Sequence, residues 1–134
     1  LLSAVARGWP LPLGRADAPR SLIARTNLVD LLIVAVQDSA DWRILHARDE
    51  TDCSVAQLVS MIAHSFGRSP RLIGVPRRLM RIGAAVPAQT TLYQRLFEPC
   101  VVDDAATRAA LGWRPALSQP CAIDEVVAWW RAHR

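Results

Sequence analysis

Two arginines stand where a charged residue is out of place. Arg20 leads the otherwise apolar run Ser21-Leu22-Ile23-Ala24, and Arg95 sits within Leu92-Tyr93-Gln94-Arg95-Leu96-Phe97. A guanidinium among apolar neighbours needs an anion, and its planar fork suits a carboxylate or a diphosphate. Spacing alone leaves both open, an internal salt bridge or a bound phosphate group. A second set, Arg68, Arg71, Arg77, Arg78 and Arg81, flanks a short apolar segment and could meet phosphate or nucleic acid. No aromatic residues interleave with it to stack bases, so a solvated arginine-rich face is the plainer reading.

Other chemistries are poorly served. All 16 basic residues are arginine, which excludes any mechanism that needs a lysine amine from this chain. The three histidines, His46, His64 and His133, fall on a candidate strand, on the polar side of a helix and at the terminus. No Gly-x-Ser-x-Gly elbow accompanies them, and His, Cys and carboxylates do not cluster at metal spacing. Asp103-Asp104 reads as a helix start rather than an acid/base pair. The three cysteines, Cys53, Cys100 and Cys121, are odd in number and widely spaced, which predicts reduced thiols in a cytoplasmic protein. The six glycines, 8, 14, 67, 74, 83 and 112, form neither Gly-x-Gly-x-x-Gly nor a P-loop.

The 134 residues suffice for one domain with a modest core, and 51% are apolar, as in ordinary globular proteins. No apolar run reaches the roughly 18 residues of a membrane span. The longest, 28–36, is interrupted by Asp30. No leader pattern precedes it, and the start at Leu1 is expected to be the interior of something longer.

The elements that must carry these residues can be laid out in order. Residues 1–7 predict the end of a helix stopped by Gly8 and Pro10. Leu11–Leu13 is extended because proline pushes its predecessor out of helical geometry. A turn spans 14–19, and 20–24 is extended again. Thr26 or Asn27 then caps a helix whose buried face is Leu28, Leu31, Leu32, Ala35 and Val36. Strands are expected at 42–47 and 71–75. Between them, Ser54 and Gln57 form a capping box. Val55, Leu58, Val59, Ile62, Ala63 and Phe66 follow at helical spacing until Gly67. Pro76 starts a further helix over 77–86, and 89–97 is helix or loop. Asp103 caps a short helix that Gly112 stops. The last helix runs over 120–132 and buries Ile123, Val126, Val127 and Trp130. Two lone strands cannot make a complete sheet, so each is expected to need partners.

Taken in order, several of these stretches resemble one family. They are Pro10-Leu11-Pro12-Leu13-Gly14, Arg20-Ser21-Leu22-Ile23 and Asn27-Leu28-Val29-Asp30, then Thr51–Leu58 with Gly67-Arg68, then Val75-Pro76. Val102-Asp103 follows, then Leu111-Gly112-Trp113-Arg114-Pro115 and Trp129-Trp130. The set is similar to the C-terminal part of the NAD-dependent epimerase/dehydratase family. These are extended short-chain dehydrogenases that act on nucleotide sugars, UDP-glucose 4-epimerase among them. Arg25 and Asn27 depart from the commonest pattern, which has a β-branched residue and Asp there. The family's glycine loop and its Tyr-x-x-x-Lys pair have no counterpart here.

The resemblance implies an α/β fold, the substrate-binding C-terminal part of an extended Rossmann-type enzyme, mostly helical with a few short strands. By the same resemblance, Leu11, Pro12 and Leu13 meet the nucleotide base through backbone groups. Arg20 and Arg95 contact the diphosphate, and Glu98 contacts the ribose. The complete enzyme would bind NAD and exchange a hydride with the sugar C4, using a Tyr base tuned by a Lys. Residues 1–134 would bind no NAD alone and would need an N-terminal Rossmann half. The full protein would be cytoplasmic, possible as a homodimer, with no nucleic-acid or membrane partner. The Arg-Ser-Leu … Asn-Leu-Val-Asp variant also resembles polysaccharide-pathway members, some of which reduce a 4-keto sugar. The reading from a different class is an arginine-rich nucleic-acid-binding module built on residues 68–81.

Overall fold

A computed structural model describes residues 1–38, 44–76 and 96–133. These residues are mostly helical. In chain order the helices are α1 (Leu2–Ala6), α2 (Arg25–Gln37), α3 (Val55–Ser65), α4 (Ala105–Leu111) and α5 (Gln119–Ala132).

Helix α3 is the centre, and its local sequence explains why. The Ser54 hydroxyl accepts the Gln57 N–H at 3.2 Å while the Gln57 side chain accepts the Ser54 N–H at 2.8 Å. This capping box satisfies two donors that a helix start leaves orphaned. The apolar stripe then buries Val55, Val59, Ile62 and Ala63. Helix α3 packs against both α1 and α5. Val5, Leu13, Ala16, Phe97 and Val127 complete the core, and full burial of each aliphatic side chain contributes about 1.5–3 kcal/mol. At the C-terminal end of α3, Phe66 meets Trp130 edge to face, with centroids 5.4 Å apart. The Arg131 guanidinium lies 5.2 Å from the Phe66 ring centre and donates to the Ser65 carbonyl at 3.3 Å.

Helix α2 departs from its expected capping. Its N-cap is Ala24, with no side-chain cap of its own. The Ala24 N–H is instead held by both oxygens of Asp49, at 3.2 and 3.0 Å, and a carboxylate at this end is favoured by the helix dipole. Its buried face also differs. Among the five expected residues only Leu31 is buried, joined by Asn27. Leu28, Val29, Leu32, Ile33 and Val36 face outward, Val36 at 79% exposure.

No residue of the expected strands joins a ladder among the described residues. Three isolated bridges occur instead, Leu11 with Leu72, and Arg20 with both Cys53 and Cys100. In 42–47 the described residues, 44–47, have no regular structure. The 71–75 segment pairs with 11–14, not with the other candidate strand. The Leu11 N–H donates to the Arg71 carbonyl at 2.8 Å, the Ile73 N–H to the Leu11 carbonyl at 2.8 Å, and the Gly14 N–H to the Ile73 carbonyl at 3.0 Å. Backbones approach so closely here that a Cβ on Gly14 would lie 3.0 Å from the Gly74 nitrogen. These segments bridge at single residues because prolines 10, 12, 70 and 76 bracket them and remove ladder donors.

The remaining helices agree with expectation to within a residue or two. Helix α4 is capped by Asp104 rather than Asp103. The Asp103 carboxylate accepts the Ala105 N–H at 3.0 Å, while the Asp104 carboxylate is taken by arginines. Gly112 ends α4 at φ 60°, a left-handed conformation that costs glycine little. In α5, Val127 is fully buried and Ile123 and Trp130 partly so, but Val126 is exposed. The predicted 77–86 helix lies outside the described residues, as does most of 89–97.

Candidate functional site

Arg20 lies at the middle of three extended segments. On one side, the Arg20 N–H donates to the Cys53 carbonyl at 3.1 Å and the Cys53 N–H to the Arg20 carbonyl at 3.0 Å. On the other, the Ser21 N–H donates to the Cys100 carbonyl at 2.9 Å and the Cys100 N–H to the Pro19 carbonyl at 3.0 Å. Ser21 ties both flanks with its side chain as well. Its hydroxyl donates to Asp52 Oδ1 at 2.6 Å and accepts the Val102 N–H at 2.9 Å. Side chains alternate along an extended segment, so Ser21 and Arg20 leave it in opposite directions.

The Arg20 guanidinium is poorly satisfied. One terminal nitrogen donates to the Glu98 carbonyl at 3.3 Å. Its Nε is buried and has no hydrogen-bond partner. No carboxylate pairs with it among the described residues. Native structures rarely leave a buried donor unpaired, and for a charged group the cost exceeds the usual 1–3 kcal/mol or so. An anion oxygen reaching Nε would remove that cost.

The other expected binding residues are distributed as follows. Both backbone polar groups of Leu11 are engaged by the 71–73 segment. Pro12 is exposed, and Leu13 turns its side chain into the core. Glu98 reaches Arg20 through its backbone carbonyl, and the residue is exposed. Arg95 lies outside the described residues, as do Arg77, Arg78 and Arg81. Arg71 donates to the Gly8 carbonyl at 3.3 Å, bracing the end of α1.

Beneath Ser21 runs a chain of charges. Arg48 pairs with Asp52 at 3.4 Å and with Asp104 at 3.1 Å, and Arg108 pairs with Asp104 at 2.7 Å. Asp104 is buried, so its two arginines offset the desolvation of its charge. Asp49 is also buried and accepts the Asn27 amide at 2.7 Å. Asn27 in turn exchanges two hydrogen bonds with the Leu117 backbone, at 2.8 and 2.9 Å. Asp30 accepts the Trp113 indole N–H at 2.8 Å. The Asn27…Asp30 and Trp113…Leu117 stretches are therefore joined to each other. Asp49 and Ser21 escaped the reading of residue types. A carboxylate in a polar loop and a serine beside an arginine carry no local sign of a partner tens of residues away.

A separate pocket of about 400 Å³ opens between residues 22–25, α3 and α5. Its walls are mainly apolar, with Leu22, Leu58, Met61, Ile123, Val126 and Trp129 prominent. Cys53 lines it, and burial, then the nearby Asp52 and Asp49 charges, push its thiol upward from its ordinary value. Two of the polar side chains at the wall, Gln119 and Glu125, are hydrogen-bonded to other residues. Gln119 donates to the Thr51 carbonyl, and Glu125 accepts the Thr26 hydroxyl.

The histidines make no triad. A ring nitrogen of His46 lies 3.2 Å from the Asp103 carbonyl, His64 is exposed on α3, and His133 stacks on Trp129. Among the described residues no group of His, Cys, Asp or Glu could hold a metal ion. No helix among them is long and apolar enough to cross a membrane. Among the described residues no helix is preceded by a glycine-rich turn of the kind that cradles a dinucleotide's pyrophosphate.

No protein-family model matches the chain, and no curated protein matches it.

Proposed function

We propose that this chain is the substrate-holding, C-terminal part of an NAD-dependent nucleotide-sugar epimerase/dehydratase of the UDP-glucose 4-epimerase type. The observation that carries the reading is the Arg20 guanidinium, with a buried Nε and no partner for it. The ordered stretches from Pro10 to Trp130 support the same reading. In it, Arg20 binds the diphosphate, and the 98–102 segment forms the adjoining wall through the Glu98 carbonyl. The chain's contribution is to bind and orient, which lowers the entropic part of a barrier. Hydride transfer would be the work of NAD held by a Rossmann half that these residues do not supply, with a Tyr and a Lys from that half. The described cysteines are all unpaired, which suits a cytoplasmic enzyme.

The test uses the product of the full open reading frame and UDP binding by calorimetry. Arg20→Ala should weaken UDP by about tenfold to a hundredfold, the worth of a charge-assisted hydrogen-bond set. UDP binding equal to wild type would overturn the assignment of Arg20. Absence of a Gly-x-x-Gly-x-x-Gly and a Tyr-x-x-x-Lys from the full product would overturn the enzyme class. Assay of UDP-sugars and 4-keto-sugar nucleotides then separates epimerisation from reduction.

A further inference from the structure

The geometry points to Ser21, together with Asp52, as a positioning device for the Arg20 guanidinium. The inference rests on the reading of Arg20 as a diphosphate ligand. Arg20 can serve an anion only if its Nε and terminal nitrogens keep a fixed direction, and among the described residues its guanidinium is supported by the Glu98 carbonyl at 3.3 Å. That carbonyl belongs to the 98–102 segment. The segment is joined to Arg20's own by the Cys100 backbone pair and, through the Ser21 hydroxyl, by the Val102 N–H at 2.9 Å. The same hydroxyl grips Asp52 on the opposite flank at 2.6 Å. One hydroxyl thus spans all three segments, from the face opposite the guanidinium.

Asp52 is not free to follow Ser21. Arg48 holds it at 3.4 Å and is itself anchored on the buried Asp104, which Arg108 also grips at 2.7 Å. The Ser21 hydroxyl is therefore the last link between a charge network seated on α4 and the residue that faces the anion. Without it, the backbone pairs at Cys53 and Cys100 remain, but the 98–102 segment loses a tie to the 52–53 flank, and the Glu98 carbonyl loses its fixed distance from Arg20. Small displacements of a charged fork weaken its paired hydrogen bonds to an anion sharply.

The consequence is specific. Removing the hydroxyl weakens recognition of the diphosphate more than recognition of the nucleoside. The measurement is the affinity of the full open-reading-frame product for UDP and, by competition, for uridine. Ser21→Ala should bind UDP about five- to tenfold more weakly, with uridine unchanged to within about twofold. Ser21→Thr keeps a hydroxyl and should restore UDP binding. Asp52→Ala removes the acceptor from the other side and should reproduce the UDP-selective loss, which keeps the inference testable if Ser21→Ala does not fold. Equal weakening of UDP and uridine, or unchanged UDP binding in Ser21→Ala alongside a large loss in Arg20→Ala, would overturn the positioning role alone. Unchanged UDP binding in Arg20→Ala overturns the diphosphate reading, and the positioning role falls with it.

Discussion

Replacing Asn27 by Ala should destabilise the protein severely, although Asn27 sits in the third position of a helix and touches no candidate ligand. The residue is 1% exposed. Its amide donates to Asp49 at 2.7 Å and to the Leu117 carbonyl at 2.8 Å, and its oxygen accepts the Leu117 N–H at 2.9 Å. Two of these are neutral hydrogen bonds, and the third reaches an ionised carboxylate. Their net worth is about 3–5 kcal/mol, counting the penalty of leaving Asp49 and the Leu117 backbone unsatisfied. Ala is a better helix former than Asn, which returns only about half a kcal/mol. A loss of this size is a large share of a typical total of about 5–15 kcal/mol. It should lower Tm by about 10–20 °C for a chain of this length. The assay is urea and thermal unfolding followed by far-UV circular dichroism, with Asn27→Asp as a companion. Asn27→Asp should be at least as damaging, because it places a second carboxylate against Asp49 and loses both amide donors. A Tm for Asn27→Ala within about 2 °C of wild type would show that the α2–Leu117 junction is not the tie the geometry describes.

Further outcomes follow from other sites. Gly14→Ala forces its Cβ against the Ile73–Gly74 backbone at 3.0 Å and should cost about 1–3 kcal/mol in thermal unfolding. The Cys53 thiol is raised above its ordinary value, so the folded state keeps a proton that the unfolded state releases first. Stability from this group is therefore full below the unfolded pKa of about 8.5 and falls as pH rises toward the higher folded value. Unfolding free energy measured from pH 8 upward should decline, and Cys53→Ala should flatten that decline. Thiol-specific labelling should also modify Cys100 and Cys121, both exposed, before Cys53. Leu32→Lys with Val36→Lys should cut binding of a hydrophobic dye and reduce aggregation, while shifting stability by no more than about 1 kcal/mol, since both side chains are over half exposed. Unchanged dye binding would mean that the α2 face is covered in solution.

The parts of the fold legible in the residue string are those whose causes are local. Ser54 with Gln57 and the stripe from Val55 to Phe66 specify α3, because a cap and a 3.6-residue period need only neighbours within a turn or two. Gly112 stops α4 for an equally local reason. Helix α2 was legible as a helix but not in its capping or its buried face. Its apolar residues run nearly all around it, so periodicity could not say which side meets the core. Asn27 looks like a cap by type and proves to be a buried connector. The strands expected over 42–47 and 71–75 were legible as extended chain only, since pairing depends on which segment lies alongside. Arg20 was legible as an arginine in search of an anion.

By itself, the sequence determined four helices in place and kind, α1, α3, α4 and α5, the glycine that ends α4, and the odd placement of Arg20. Only the tertiary structure decided what surrounds that arginine. Cys53 and Cys100 flank it from opposite sides, Ser21 joins the two flanks, and its Nε is buried with no partner. It also decided that Asp49, not Thr26 or Asn27, serves the start of α2. The physical reason is range. Helix periods and caps are set by neighbours along the chain, whereas Ser21 meets Asp52 and Val102 across 31 and 81 residues. Contacts of that separation depend on the packing of α1, α3 and α5, which no stretch of neighbouring residues specifies.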